Sequence, residues 1–479
     1  MKRINIWLVT CIFAVAVLVR IGDFNSLPIQ AHPQRQTDTA CVIHFFTNQS
    51  LNILQPRACL IRPKTNLQGL FFLEFPLYQW LAAIIQVIAQ NQSLWLVRIF
   101  NLLLFSLAFW SLYAGCRNYF DEQLGLLSVL IFSWLPSGIF FFGTAIHPDV
   151  FMIATLFGSW FWLTQYLRDH RRQDFIFCLL CLSLSILTRP FAAICLPAWA
   201  LLLWQNDKKK ESVLCLLLPC LPYLLWTLYQ RFFPEADHSW QLWTVHGQES
   251  LLLLETWKLL LFKNVSGEVL GKVVTLLSVG GLMTTFYRKD YSKLAFVLLY
   301  LLLIPFYWLV VPNGNLNHQY YAHVYIFPFI ILTAYGLNCW SRQLEKHNFW
   351  RTFIIAAAIF LIVINGWRTS RYFYLPRVSN EEIALAQSIE KVVPANKKIM
   401  FLGEQPYTIS LAYRQGWVTA PNGIDINNSE ADISEILAHA DYLVAPSFDG
   451  IFPLERLSVT SNLDLVADTP AGKIYQIQH

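Results

Sequence analysis

The sequence predicts a mainly α-helical protein, a polytopic membrane bundle of about 11 spans followed by a small C-terminal extramembrane α/β domain. Apolar residues make up 56% of the 479 residues and charged residues only 14%, whereas soluble domains contain roughly 45–50% and about 25%. Long apolar blocks recur, each able to cross a hydrocarbon core of about 30 Å, which takes about 20 helical residues. The 18 Trp, 20 Tyr and 36 Phe residues are typical of membrane interfaces.

The predicted spans are the apolar segments that approach this length. The first follows Lys2 and Arg3 and lacks a small-residue cleavage site, so we interpret it as a retained helix and not as a cleaved signal peptide. The spans comprise residues 4–21, 93–116, 123–142, 149–168, 174–188, 190–205, 212–230, 268–287, 293–311, 323–340 and 351–368.

The basic loops predict the orientation, because Lys and Arg are enriched in short cytoplasmic loops. Loops 168–173, 206–211, 287–293 and 341–351 are the basic ones. All four face the cytoplasm, together with the N-terminus, only if the apolar block 75–90 does not cross. We therefore expect that block to form a helix in the outer interface. We therefore expect an integral membrane protein with its C-terminal domain on the outer side, periplasmic or extracellular.

Composition also predicts the domain division. Residues 1–376 form the transmembrane domain, with an outer first loop at 22–92, and contain 28 Lys and Arg against 17 Asp and Glu. Residues 377–479 contain 7 against 13 and form the extracytoplasmic α/β domain. The basic excess thus belongs to the membrane part, and the absence of a clustered basic face excludes nucleic acid as a partner.

Local signals give the C-terminal domain its elements. Ser379 and Glu382 in "SNEE" have the spacing of a capping box that opens a helix. "KKIMFLG" and "ADYLVAP" are apolar runs of the length and composition of buried strands. The domain is therefore predicted to alternate helices and strands.

The predicted orientation places several chemically active side chains on the outer face. A carboxylate there can act as a general base toward an acceptor hydroxyl or amine, and cations or imidazoles can stabilise a departing phosphate. Such a set suits group transfer from a lipid-linked donor. The residues are His32, Arg35 and Asp38 in "AHPQRQTDTA", Glu74 in "LEFPLYQW", Asp149 in "HPD", and His318 and Tyr320 in "NHQYYAH".

The order of "HPQRQTDTA", "EFPLYQW", "HPD" and "NHQYY" resembles the C-type (GT-C) membrane glycosyltransferase superfamily, in its bacterial protein-mannosyltransferase-like and aminoarabinose-transferase-like branch. The resemblance covers most of residues 1–370. It implies that Asp38 is the catalytic base and that Asp149 helps to hold the acceptor, the donor or a metal ion. It also implies a location in the bacterial inner (plasma) membrane, with membrane lipid as a partner. There a sugar would be transferred with inversion from a polyprenyl-phosphate-linked donor to a glycan, lipid or protein acceptor of the cell envelope.

Two departures from this pattern leave the phosphate-binding role open. Asp38 is followed by Thr39 and Ala40, where aminoarabinose transferases carry an acidic pair with a downstream Arg. Glu74 replaces the Lys that precedes their proline motif. The candidates for the phosphate are Arg35, Arg57, Arg62, Lys64 and His318, with Arg35 and His318 ahead of the others.

Each candidate also has a structural alternative. Asp38 could cap a short helix, and Asp149 could favour the dipole of the helix that it opens. Glu74 could be a loop acid paired with Arg57 or Arg62. His318 could be an interfacial hydrogen-bonding residue and Tyr320 part of an aromatic belt.

At the level of function, the alternative is a transporter or flippase of a lipid-linked saccharide. Such proteins place ionisable residues near the midplane of their spans and often have repeated halves, neither of which is evident in this sequence. The sequence also has no zinc-binding spacing, Walker loop or dinucleotide-binding glycines, so a soluble nucleotide donor is disfavoured. No resident cofactor is predicted, and a divalent metal ion stays open.

Two of the ten cysteines, Cys41 and Cys59, share the outer first loop. A disulfide between them would brace that loop in an oxidising compartment. The sequence leaves their pairing open.

Overall fold

The computed structural model describes residues 6–22, 24–62, 65–236, 245, 249, 253–344, 347–403, 405–418, 435–447 and 463–479. They fall into two compact units. The helical unit comprises Met1–Asn25, Val97–Arg231 and Ser239–Tyr374, and the mixed unit comprises Ser26–Leu96, Phe232–His238 and Leu375–His479. The basic N-terminal residues Lys2 and Arg3 lie outside the described residues. The predicted domain boundary at residue 376 stays a prediction.

Helices and strands follow one another along the chain with most of the strands near its end. The α-helices are α1 (Ile6–Arg20), α2 (Pro33–Asn48), α3 (Leu77–Ile88), α4 (Leu94–Tyr119), α5 (Glu122–Ser133), α6 (Pro136–Phe141), α7 (Asp149–Asp169), α8 (Arg172–Thr188), α9 (Leu196–Gln205), α10 (Lys209–Leu217), α11 (Leu221–Gln230), α12 (Leu254–Lys258), α13 (Lys272–Arg288), α14 (Tyr291–Val310), α15 (Pro312–Asn317), α16 (Ile326–Gln343), α17 (Asn348–Ser370), α18 (Asn380–Val392) and α19 (Tyr407–Leu411). Short 3₁₀ helices span Pro190–Cys195, Leu218–Cys220, Gln319–Tyr325 and Arg371–Tyr374, and Leu259–Val269 is a π-helix. The strands are β1 (Lys398–Phe401), β2 (Gln415–Val418), β3 (Tyr442–Pro446), β4 (Leu463–Thr469) and β5 (Gly472–Ile477).

The mainly helical membrane fold is confirmed. Helix occupies most of each predicted span. By length and composition alone, 6 helices within the described ranges could cross a membrane, or up to 7 if a bent pair counts as one span. Four shorter apolar helices, which include α1 and α5, accompany them. The sequence predicted about 11 spans, and one broken helix accounts for part of the difference between the two counts.

The bent pair consists of Leu254–Val269 and Lys272–Arg288, which meet at 110°. Residues 231–267 separate two of the predicted spans, and within them residues 254–267 are helical. Gly271 lies at the bend with φ +79, a conformation that glycine adopts without steric cost. The break therefore follows from one glycine between two apolar helices.

Close packing of the helical unit depends on small residues. A Cβ on Gly281 of α13 would lie 2.0 Å from the carbonyl oxygen of Leu332 in α16, and a Cβ on Gly336 would lie 2.8 Å from the Cα of Gly281. Helices without a hydrophobic drive to associate in lipid rely on such close contact.

The mixed unit contains a five-stranded sheet of order β2-β1-β3-β5-β4. β2, β1 and β3 are parallel, and β5 pairs antiparallel with both β3 and β4. The two predicted strands correspond to β1 and β3, and the predicted capping box at Ser379 and Glu382 opens α18. These elements confirm the expected α/β composition of the C-terminal region.

Helix α2 packs into the core of this sheet unit. Cys41 and Phe45 of α2 share a hydrophobic cluster with Leu385 and Ile389 of α18 and with strand residues such as Ile399. At its far end, the ring of His44 stacks on Tyr413 with 4.6 Å between centroids. Burial and then the charge of Arg414 lower the pKa of His44 to about 4, so the stacked imidazole is neutral at physiological pH.

Two further connections join the first loop to the tail. Cys41 and Cys59 form a disulfide with 18 residues of separation. Cys59–Ile61 also lies beside β2, because Gly416 donates its N–H to the carbonyl of Cys59 at 2.9 Å and Ile61 donates to the carbonyl of Gly416 at 2.8 Å. A segment from the first loop therefore extends the sheet that the tail builds.

Helix α3 covers the apolar block 75–90. Its 12 residues span about 18 Å at 1.5 Å per residue, which is too short to cross a hydrocarbon core of about 30 Å. Tyr78, Gln79, Ala82, Ala83 and Gln86 form its buried face. Its length agrees with a block that does not cross, and its location in the outer interface stays a prediction.

We predict that replacing both Cys41 and Cys59 by serine lowers the free energy of unfolding of the protein by about 3 kcal/mol, because the bridge restricts the unfolded chain. The apparent melting temperature of the detergent-purified protein should fall, and the bridged peptide should disappear from non-reducing digests analysed by mass spectrometry. Cys11→Ser, at an exposed free cysteine of α1, is the control. Equal melting temperatures of the double variant and the control would contradict the prediction.

Candidate active site

The first group of candidate residues lies at the start of α2. Pro33 occupies the first helical turn, and His32 precedes it in the left-handed conformation with φ 56 and ψ 56. The carbonyl of His32 accepts from the N–H of Gln36 at 3.1 Å, so His32 is the N-terminal cap. Asp38 lies inside the helix, and the alternative that it caps a helix is therefore wrong.

Arg35 and Glu74 form a buried ion pair. Arg35 Nη2 lies 2.5 Å from Glu74 Oε1, with 8% and 4% of the two residues exposed. Gln79 of α3 donates to the same carboxylate oxygen at 2.9 Å. The structural alternative for Glu74 was a pair with Arg57 or Arg62, and the structure instead places Arg35 against its carboxylate.

The guanidinium of Arg35 keeps unused hydrogen-bonding capacity. Its Nε and Nη1 atoms are buried and have no hydrogen-bond partner among the residues that the structure describes. A buried N–H without a partner costs free energy that a negatively charged ligand would recover. Arg35 therefore uses Nη2 to bind Glu74 and keeps Nε and Nη1 for a ligand.

Asp38 follows Arg35 by three residues in the same helix, so both side chains lie on one face of α2. The residue is buried, with 5% of its surface exposed. The hydroxyl of the neighbouring Thr39 donates to the backbone carbonyl of Arg35 at 2.9 Å, so it is occupied within the helix.

The other first-loop cations have different positions. Arg57 donates to Gln49 at 3.1 Å, and Gln49 caps the C-terminal end of α2, at the opposite end from Arg35. Arg62 is half-buried, and Lys64 lies outside the described residues. Among the predicted phosphate ligands of the first loop, Arg35 shares its helix face with Asp38.

The second group surrounds Asp149, the first residue of α7, and belongs to the helical unit. Arg189 Nε donates to Asp149 Oδ1 at 2.7 Å, and His323 Nδ1 lies 2.8 Å from Oδ2. His147 Nδ1 approaches Oδ1 at 3.2 Å. The opposite ring nitrogen of His323 contacts the hydroxyl of Ser137 at 3.0 Å. Asp149 is 1% exposed, and both its oxygens have cationic or imidazole partners.

Tyr320 and His318 cover this group. The Tyr320 ring lies 4.4 Å from that of His147 and 5.4 Å from the guanidinium carbon of Arg189. His318 stacks on the other residues of the turn, 5.1 Å from Tyr320. The structure thus brings Asp149, Tyr320 and His318 together, and Tyr320 is buried on an ionic cluster and does not form part of an outward-facing aromatic belt.

Little space remains beside this cluster. A cavity of about 10 Å³ is lined by Asp149, Arg189, Tyr320, Tyr321 and neighbouring apolar residues, which is room for about one water molecule. Within the described residues, no group of three or more His, Cys, Asp and Glu side chains is arranged to hold a metal ion.

Three residues of this cluster are absent from the predicted set. His147 and His323 belong to the "HPD" and "NHQYYAH" motifs, but the sequence singled out their neighbours Asp149 and His318. The sequence could have indicated Arg189. It directly follows the predicted span 174–188, and "HPD" directly precedes or begins the predicted span 149–168, so the two lie at the same membrane face.

Comparison with known proteins agrees with this architecture. Residues 74–228 match the family described as dolichyl-phosphate-mannose-protein mannosyltransferase. No curated protein matches the sequence significantly.

Solved structures match the fold over almost the whole chain. ArnT from Cupriavidus metallidurans in the apo state aligns over 98% of this chain and 97% of its own, with 11% identity and a TM-score of 0.64. The same protein bound to undecaprenyl phosphate aligns over 98% of each chain, with 12% identity and a TM-score of 0.64. The oligosaccharyltransferase AglB from Archaeoglobus fulgidus, in complex with an inhibitory peptide and a dolichol-phosphate, aligns over 92% of this chain and 69% of its own, with 10% identity and a TM-score of 0.60.

The family match and the fold confirm the resemblance that the motifs indicate: this chain is a membrane protein with the fold of the GT-C glycosyltransferases.

Proposed function

We propose that the protein is a membrane glycosyltransferase that moves a sugar from a polyprenyl-phosphate-linked donor to an acceptor on the outer face of the membrane. The observation that carries the proposal is the face of α2, where the buried Asp38 accompanies an Arg35 whose Nε and Nη1 have no partner among the described residues. The ArnT and AglB structures, which contain undecaprenyl phosphate and a dolichol-phosphate, support a lipid phosphate as the leaving group.

In the proposed reaction, Asp38 accepts the proton of the acceptor hydroxyl or amine. The acceptor oxygen or nitrogen forms a bond to the anomeric carbon, and the bond between that carbon and the phosphate oxygen breaks. The lipid phosphate leaves with the electron pair, and a single displacement inverts the anomeric centre. The remaining N–H groups of Arg35 are suited to the charge that grows on the phosphate. Glu74 fixes the guanidinium and is itself held by a hydrogen bond from Gln79.

Asp149 has a different proposed role. A general base needs a carboxylate oxygen that can approach the acceptor, whereas both oxygens of Asp149 already have partners. We assign it to positioning: it holds Arg189, His147 and His323 beneath Tyr320. The stacked His318 and Tyr320 then offer an aromatic surface for a substrate.

The position of the buried charges favours an enzyme over a transporter. Asp149 begins α7 and Arg189 follows the end of α8, so both lie at helix ends. Transporters concentrate ionisable residues near the middle of their spans. The disulfide supports an oxidising compartment for the first loop, which fits an outer-face reaction.

Asp38→Asn should fold but lose transfer, with kcat lower by about 10²- to 10⁴-fold, because the amide cannot accept the acceptor proton. Comparing glycolipids and glycoproteins of a deletion strain and its complemented form by mass spectrometry identifies the product. Formation of that product in membranes with labelled lipid donor is then measured. Asp207→Asn is the matched control, since Asp207 is exposed and has a left-handed backbone that asparagine also accepts. Transfer by Asp38→Asn at the rate of this control would exclude Asp38 as the base.

Arg35→Gln should reduce kcat by about 10- to 100-fold, since the Arg35 interaction strengthens as the phosphate leaves. Arg35→Lys keeps the charge but not the planar fork and should recover part of the loss. Steady-state kinetics with varied donor separate kcat from KM. Arg57→Gln, which breaks a contact at the other end of α2, should leave both constants within about twofold. If both arginine-to-glutamine variants lose activity equally, a general charge effect explains the loss and the assignment to Arg35 fails.

The proposed orientation is tested with a cysteine at position 209, in the basic loop 206–211. Lys209→Cys should resist a membrane-impermeant maleimide applied to intact cells and react after permeabilisation, because that loop faces the cytoplasm. A cysteine at position 381, exposed in α18, should react from outside. Reversal of the two labelling patterns would place the first loop in the cytoplasm.

A further inference from the structure

A cationic cleft lies in the helical unit at the junction of α13 and α17. It has a volume of about 450 Å³ and is lined by Gly267, Lys272, Asn365, Arg368, Thr369 and Tyr372. Pockets that hold small ligands occupy roughly 300–1,000 Å³. The cleft is thus large enough for a lipid headgroup.

Two positively charged side chains, Lys272 and Arg368, line this cleft. Lys272 and Arg368 are both exposed, and neither side chain makes an ion pair or hydrogen bond with a residue that the structure describes. Some cations at other helix ends of the unit do pair with acidic residues, as Arg342 does with Asp121 at 2.8 Å and Arg168 with Asp169 at 2.8 Å. Lys272 and Arg368 differ in that two such cations line one cleft, which suits an external anion.

The surroundings of the cleft are those of a membrane interface. Trp367 and Tyr372 are 42% and 46% exposed beside it, and the guanidinium of Arg371 lies 5.4 Å from the Trp367 ring. Exposed Trp and Tyr rings next to Lys and Arg are typical of the headgroup level. Thr369 and Asn365 add neutral hydrogen-bonding groups to the same walls.

The backbone keeps the cleft in shape. A Cβ on Gly271 would lie 2.3 Å from Asn365 Oδ1 and 3.3 Å from the ring of Pro136, so α13, α17 and α6 meet closely at this point. Phe373, next to Tyr372, stacks on Phe140 with 6.0 Å between centroids. The cleft is therefore a fixed feature, and it shares no lining residue with the cavity beside Asp149.

We propose that this cleft binds the phosphate headgroup of an anionic membrane lipid, with Lys272 and Arg368 as its charged contacts. The site is distinct from the proposed catalytic residues and does not depend on the proposed transferase activity. Phosphate oxygens accept from both cations, and the hydroxyl and amide groups of Thr369 and Asn365 are suited to a glycerol or a second polar group. The acyl chains then follow the apolar outer surface of α17, where Phe360 and Leu361 are exposed.

The test measures lipid binding to the full-length protein in detergent by native mass spectrometry. Phosphatidylglycerol is titrated against the wild type and against Lys272→Gln/Arg368→Gln, in parallel with phosphatidylcholine of the same acyl chains and with inorganic phosphate. Each basic residue near a membrane surface contributes about 1 kcal/mol toward an anionic lipid, so we expect the double variant to bind phosphatidylglycerol about 10- to 30-fold more weakly.

Two further double variants make the result specific. Arg171→Gln/Lys210→Gln removes one exposed arginine and one exposed lysine at other helix ends and should change the affinity by less than twofold. Lys272→Arg/Arg368→Lys exchanges the cations and should retain most of the binding. All substitutions are at exposed side chains, and an unchanged gel-filtration profile verifies folding.

Three results would overturn the proposal. Equal weakening in the cleft variant and in the Arg171/Lys210 variant would mean general charge attraction. Equal affinity for phosphatidylcholine would mean that the headgroup charge is irrelevant. Inorganic phosphate that binds as tightly as phosphatidylglycerol, with the same dependence on Lys272 and Arg368, would assign the cleft to a free anion.

Discussion

The geometry of the proposed catalytic helix depends on its packing against a sheet from the other end of the sequence. Cys41 and Phe45 of α2 are buried with residues of α18 and β1, and the disulfide to Cys59 connects α2 to the segment that pairs with Gly416 of β2. Closing such long stretches of chain costs loop entropy that grows only slowly with their length, and the sheet then supports α2. Arg35 and Asp38 precede Cys41 in this helix by less than two turns. The C-terminal tail can therefore act as the structural support of the first loop.

The two candidate groups differ in how completely their charges are satisfied. Asp149 is buried with a guanidinium and two imidazoles around it, and removing one partner of such a buried pair typically costs about 3–5 kcal/mol. That group is therefore organised before any substrate arrives. The Arg35 group contains a carboxylate partner but leaves buried N–H groups without a partner among the described residues. A saturated cluster suits orientation, whereas an unsaturated cation suits binding of an anion.

Local and compositional signals predicted much of the fold, but contacts between distant segments lay beyond them. The apolar spans, β1, β3 and the Ser379 capping box follow from periodicity and local chemistry. Helix α2 was missed because its residues are of mixed polarity, and its burial is visible only when residues 385–410 are in place. The pairing of Arg35 with Glu74 likewise joins residues that are 39 positions apart, so it becomes visible only in the folded chain. His323 was passed over for His318 because a 3₁₀ turn decides which histidine of one motif faces Asp149.

Burial and pairing together decide which anion each cation of this protein suits. A paired arginine such as Arg189 has its charge neutralised by Asp149 at 2.7 Å, so it contributes little attraction for another anion. Arg35 shares its charge with Glu74 but offers N–H groups in a buried place, where a hydrogen bond to a phosphate oxygen is strong because water is excluded. Lys272 and Arg368 have no acidic partner in the described part of the chain but are exposed, so water screens them and each contributes less. Buried, half-paired Arg35 is thus suited to a phosphate whose charge changes during a reaction, and the exposed pair to a headgroup that stays bound without chemistry.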